Sequence, residues 1–123
     1  MRIFKTIAFH RWANKENLDD TMLSEAVSEL EKGQYEVNLG GGLYKKRIAT
    51  SGKGKSGGFR TILAFKAGNK AFFVYGFSKS QRANINEQEK LAYKKLAKLL
   101  LSYNDLQIKK AIEYKEILEV FNE

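Results

Sequence analysis

The sequence predicts an α+β domain: an antiparallel sheet with an N-terminal helix and a C-terminal helix packed against it, plus a short C-terminal extension. Three observations lead there. Apolar residues recur at helical spacing over 19–32 and again over 86–103. Between those stretches, residues 35–77 alternate in short runs separated by glycine-rich turns, the pattern of an antiparallel meander. With 123 residues, 43% of them hydrophobic, residues 1–123 have the size and core of a single domain.

Met1 to Ala8 reads as a strand, with Ile3, Lys5 and Ile7 on one face and Phe4, Thr6 and Ala8 on the other. Phe9, His10 and Trp12 follow, and His10 and Trp12 are read as packing at the strand's end. Asp19 to Lys32 reads as an amphipathic helix through Met22, Leu23, Ala26, Val27 and Leu30. Asp19 and Asp20 can cap its start and Gly33 can end it. Its outer face is acidic (Glu25, Glu29, Glu31), so it is expected to lie away from any polyanion.

Tyr35 to Leu39 is a short strand and Gly40 to Gly42 a turn. Leu43 to Thr50 alternates, with Tyr44 and Ile48 inward and Lys45 and Arg47 on the opposite face. Ser51 to Gly58 reads as a loop. Phe59 to Lys66 and Ala71 to Phe77 are two further strands, joined through a turn at Gly68-Asn69. Asn86 to Tyr103 is a helix whose start, Asn86 with Glu89, resembles a capping box. Leu91, Leu96, Ala97, Leu99 and Leu100 form its apolar face, and Lys90, Lys94, Lys95 and Lys98 its wet one. The extension, 104–123, reads as a short helix capped by Asp105 and an alternating strand over 116–121.

Charge is the strongest functional signal. Between Glu36 and Glu87 there is no acid, while ten Lys and Arg fall there; the net +8 of the chain is therefore one region, and the remainder sums to −2. Gly40 to Arg60 concentrates Lys45, Lys46, Arg47, Lys53, Lys55 and Arg60 among seven glycines. A localised positive field with a backbone open to close approach suits a phosphate polymer. A solvated basic hairpin is the plain alternative.

Several chemistries are excluded. Without cysteine there are no disulfides, thiolates or sulfur-bound zinc, which fits the reducing cytoplasm where the protein is expected. A single histidine, His10, rules out a histidine metal cluster or a triad. No metal and no cofactor are expected. No apolar run has transmembrane length, the start does not read as a secretory leader, and no membrane partner is expected. Gly54-Lys55-Ser56 imitates the end of a P-loop, but the glycine required five residues earlier is Ala49, and a strand follows in place of a helix. The basic window holds no carboxylate to bind magnesium or to act as a base. What remains is electrostatic: cations that hold a phosphate and align the RNA 2′-OH with it.

The stretches GGLYKKRIA (41–49), GKGKSGGFR (52–60), YGFSKS (75–80) and NIN-x-x-E (84–89), in this order of elements, resemble the RelE/HigB toxins of bacterial toxin–antitoxin pairs, and within them the HigB-like branch. The resemblance covers about residues 1 to 103. It implies a RelE-like sheet and a ribosome-dependent mRNA endonuclease that cuts in the ribosomal A site. It also implies a cognate antitoxin, usually with a helix-turn-helix part. Carried over, Lys45 and Arg47 lie on the strand below the RNA and Arg60 contacts the scissile phosphate. Lys53 and Lys55 are loop cations, and Lys79 and Arg82 form the basic pair after the last strand. The expected catalytic set is thus Lys45, Arg47, Lys53, Lys55, Arg60 and Lys79. Lys46, Tyr75, Phe77 and Arg82 are the expected RNA-binding set, the aromatics by base stacking. Some RelE proteins carry a proton-transferring tyrosine near the start of the last helix. This chain has Ile85-Asn86-Glu87 there, which leaves the general acid and base unassigned. The alternative function is a non-catalytic RNA- or ribosome-binding module. A DNA-binding domain is disfavoured by the lack of a helix-turn-helix or a basic recognition helix.

Overall fold

The central meander forms as the alternation requires. In a computed structural model, which describes residues 1–49 and 58–121, strands β2 (Val37–Gly40), β3 (Leu43–Ile48), β4 (Phe59–Lys66) and β5 (Lys70–Ser78) pair antiparallel in sequence order. Gly40, Gly41 and Gly42 all take positive φ (89°, 64° and 83°) in the β2–β3 turn. Side chains would be strained there, which explains the glycine run.

The ends of the chain depart from expectation. The N-terminal strand stops early, as β1 (Arg2–Thr6), and residues expected to continue it form helix α1 (Ile7–Lys15). The Thr6 hydroxyl accepts from the Phe9 amide at 3.2 Å and caps that helix. Phe9 and Ala13 then become one buried helical stripe, with Trp12 beside it. His10 and Trp12 therefore sit on a helix, not at a strand's end. Helix α2 (Asp20–Glu31) follows, its Met22 amide bonded to the Asp19 carboxylate as expected.

The sheet is mixed, not purely antiparallel. Its order is β2-β3-β4-β5-β1-β6, and β1 lies parallel to β5, with Ile3 opposite Ala71 and Phe4 opposite Phe72. Alternation fixes which face a side chain takes but not which neighbour a strand pairs with, or in which direction. The C-terminal residues supply helix α4 (Asp105–Glu113) and β6 (Ile117–Val120), which pairs antiparallel with β1 at the sheet's edge. The cap of α4 is Asn104, one residue before the expected Asp105.

Both faces of the sheet are covered. Helices α1 and α2 share a core with Ile3, Ile48, Phe59, Leu63 and Phe73. Helix α3 (Glu87–Leu101) and α4 share the other with Phe4, Leu43, Ile62, Phe72 and Phe77. The buried stripe of α3 is Tyr93, Leu96, Ala97 and Leu100, whereas Leu91 and Leu99 are 58% and 51% exposed. The expected stripe is too wide, since 91 and 99 fall off the 3.6-residue line through 93, 97 and 100. The capping box at Asn86 and Glu89 is formed in both directions. No described helix is long and apolar enough to cross a membrane.

Candidate functional site: a cationic row on the sheet face under α3

Strand register assembles the site. Arg47 of β3 lies opposite Arg60 of β4, and Arg60 lies opposite Phe77 of β5. Two residues along, Lys45 lies opposite Ile62 and Ile62 opposite Tyr75. These side chains share the α3 face because alternate positions on a strand do. Helix α3 starts beside Tyr75, where Tyr93 stacks on it with ring centroids 5.5 Å apart. It ends over the β2–β3 turn, against Gly42.

The two arginines are the most telling members. Arg47 has Nε and Nη2 buried without an acceptor among the described residues, and Arg60 has Nη1 in the same condition. Buried donors are normally paired, because an unmet donor costs about 1–3 kcal/mol and more on a charged group. Three such guanidinium donors on cross-strand neighbours are candidates for an anion, since the guanidinium fork suits phosphate oxygens.

Two carboxylates that the basic window did not disclose enter this region. Glu36, just before β2, accepts from Arg60 Nε, with its two oxygens 3.0 and 2.8 Å away. It also lies 3.5 Å from Lys45 Nζ, which in turn donates to Asn84 Oδ1 at 3.3 Å. Glu89 receives both arms of Arg82 at 2.6 and 3.0 Å. The sequence signal for Glu36 was its place as the last acid before the acid-free window. Only the pairing of Tyr35–Val37 beside Lys45 brings it to the cations, through its amide donating to the Lys45 carbonyl at 2.9 Å.

Arg82 is anchored rather than open. Besides Glu89 it donates to the Tyr75 hydroxyl at 3.0 Å and to the Asn84 carbonyl at 3.0 Å. Its guanidinium carbon stands 5.8 Å from the ring centroids of both Tyr75 and Phe77. The bond to Glu89, then that to Tyr75, raises the Arg82 pKa further. The same bond, with the Asn86 amide, holds the Glu89 carboxyl below its usual range. Burial, then the neighbouring Tyr75, pushes the Tyr93 phenol up.

Of the residues expected from sequence, the structure gathers Lys45, Arg47, Arg60, Tyr75, Phe77 and Arg82 on one face. Lys46 points to the other face, is 8% exposed, and pairs with Glu29 of α2 at 2.8 Å. Its alternation with Lys45 and Arg47 already carried that information. Lys79 is exposed in the turn after β5. Lys53 and Lys55, with the Gly54-Lys55-Ser56 string, lie outside the described residues. Glu36, Asn84, Glu89 and Tyr93 are the neighbours sequence reasoning missed. No three His, Asp or Glu among the described residues are grouped to hold a metal ion.

The arrangement can hold a tetrahedral anion between two guanidinium groups, with an ammonium and two aromatic rings beside it. Against that geometry, one comparison is positive. The family model described as RelE toxin of RelE / RelB toxin-antitoxin system matches residues 1–120. No curated protein matches the chain.

Proposed function

The chain belongs to the RelE toxin family, and from that premise we propose that it is a ribosome-dependent mRNA endonuclease of the HigB-like branch. Membership implies an antitoxin partner. In this reading the antitoxin carries a helix-turn-helix part, the toxin works in the cytoplasm, and its substrate is mRNA in the ribosomal A site.

The observation that carries the reading is the cross-strand Arg47–Arg60 pair, three of whose buried donors have no acceptor among the described residues. A scissile phosphate held there has its charge stabilised as it develops. The neighbouring 2′-OH then attacks phosphorus, the bond to the 5′-oxygen breaks, and the products are a cyclic phosphate and a 5′-hydroxyl. Lys45, held by Asn84 and Glu36, adds a third positive charge. Lys53, Lys55 and Lys79 complete the proposed catalytic set, and Tyr75 and Phe77 are the proposed RNA-stacking surface, with Arg82 holding Tyr75 in place and Lys46, expected among the RNA ligands, paired with Glu29 on the other face. Holding the nucleophile in line is worth a large part of the barrier without strong acid–base groups. This fits an enzyme that depends on the ribosome to align its RNA.

The test is induction without antitoxin. Wild type should arrest growth, and primer extension should find cuts within translated mRNA. Arg60→Ala, shown folded by circular dichroism, should do neither. A folded Arg60→Ala that arrests growth fully removes Arg60 from the chemistry. Arrest with intact mRNA replaces the enzyme with a ribosome-binding module.

A further inference from the structure

A cavity lies beside the cationic row, at the open edge of β5. Strand β1 ends at Thr6 with Lys5 opposite Phe73, whereas β5 runs on to Ser78. Among the described residues, 74–78 thus have no strand beside them on that side, and α1 turns across the gap. The cavity left there is about 270 Å³, walled by Phe9, Trp12, Tyr75, Phe77, Gln81 and Arg82. Its floor is the β5 backbone at Gly76. A Cβ at that position would lie 2.1 to 2.5 Å from three atoms of the Trp12 ring, so the indole packs this closely on the strand only because residue 76 is glycine.

The geometry points to a nucleobase subsite in this cavity, taking the base attached to the nucleotide whose phosphate lies at Arg47 and Arg60. This deepens the reading above and rests on it for the identity of that phosphate as RNA. Three features favour a base. The volume falls just below the range of roughly 300 Å³ and more that drug-sized ligands occupy, which suits a single flat heterocycle. The walls are aromatic, and bases stack on such walls whatever their identity. The polar group at the rim with a base-reading geometry is the exposed amide of Gln81, a side chain that reads base edges by paired hydrogen bonds, while Arg82, engaged by Glu89, Tyr75 and Asn84, holds the Tyr75 wall in place. The cavity's wall reaches to within one strand of Arg60. Phe77, in its wall, is the cross-strand neighbour of Arg60, one strand spacing or about 4.8 Å away. A peptide strand added to the same edge is disfavoured, because α1 continues from β1 into the space such a strand would need.

Trp12 is the only tryptophan in the chain, so its fluorescence reports this cavity alone. The experiment titrates the full-length protein with the four nucleoside 3′-monophosphates and, separately, with inorganic phosphate. Expected are saturable changes in Trp12 emission with the nucleotides and none with phosphate. Affinities should differ between best and worst base by about five-fold or more, the low end of discrimination by one paired contact. Gln81→Ala, at an exposed position, should flatten that difference. No saturable response to any nucleotide overturns the subsite, as does an equal response to phosphate alone. A response to purified antitoxin but to no nucleotide also overturns it and makes the cavity a protein-docking surface. The two readings fail separately. Base binding without cleavage on ribosomes sinks the endonuclease and supports the subsite. Cleavage without a base response sinks the subsite alone.

Discussion

Glu36→Gln tests how the site is kept in the absence of RNA. The Glu36 carboxylate lies 2.8 Å from Arg60 Nε and 3.5 Å from Lys45 Nζ, so it neutralises cations that a phosphate would need. A phosphate held by Arg60 comes within roughly 5–6 Å of that carboxylate, and repulsion there is about 3 kcal/mol at an effective dielectric of 20 and about 0.7 in bulk water. An intermediate value of about 1.4 kcal/mol is a tenfold gain in RNA affinity when the charge is removed. Glutamine keeps the shape and one acceptor for Arg60. The fold loses only the difference between a charge-assisted and a neutral hydrogen bond, about 1 kcal/mol. The assay is binding of a 2′-O-methyl oligonucleotide, which cannot be cleaved, across a salt series, with urea unfolding alongside. Expected are tighter binding, a steeper salt dependence as Arg60 and Lys45 become available, and a slightly lower unfolding midpoint. A folded Glu36→Gln protein that binds RNA more weakly refutes the reasoning, because Glu36 would then be aiming Arg60 at the phosphate.

Gly76→Ala should destabilise the fold by about 1–3 kcal/mol, as overpacking does when an aromatic ring must move, read as a lower urea midpoint; an unchanged midpoint would mean that Trp12 is not seated on the strand. Burial, then the nearby Lys5, lowers the His10 pKa, so the unfolded chain takes up its proton near pH 6.5 before the folded one does. Stability from this group is present above that pH and falls as pH drops below it, and His10→Gln should abolish the slope between pH 7 and about 5.5. Lys53→Ala/Lys55→Ala should flatten the log–log salt dependence of ribosome binding by about one unit for each phosphate neutralised by these lysines, against little change for Lys109→Ala/Lys110→Ala; equal slopes would deny these two lysines a special place.

Much of this architecture was legible because local rules decided it. The Asn86 and Asp19 caps, the Gly40–Gly42 turn and the β4–β5 hairpin each depend on residues close in sequence. The row Lys45, Arg47, Arg60 was legible too, since alternation sorts side chains between faces. The same rule argues against grouping Lys46 with them, although charge alone suggests it. Helix α1 was hidden because Ile7, Ala8 and Phe9 continue the apolar run of β1, and the signal that breaks it is one hydroxyl, on Thr6. The parallel slot of β1 and the approach of Glu36 to Arg60 depend on the meeting of distant segments, which no window of sequence displays.

Ten basic side chains in one acid-free window do not amount to ten ligands for a phosphate. A cation serves a substrate only through donors that the protein has not already engaged. Lys46 is committed to Glu29 across the other face. Arg82 spends its donors on Glu89, Tyr75 and Asn84, and in doing so fixes the start of α3 against the sheet. Lys45 is shared between Glu36 and Asn84. Arg60 gives Nε to Glu36, while its Nη1 and both Nε and Nη2 of Arg47 have no partner among the described residues. These five cations therefore divide into a framework, Arg82 and Lys46, and a proposed working pair, Arg47 and Arg60, with Lys45 between. The charge count marks the region, and the hydrogen bonds already made within it narrow the proposed phosphate contacts to Arg47 and Arg60.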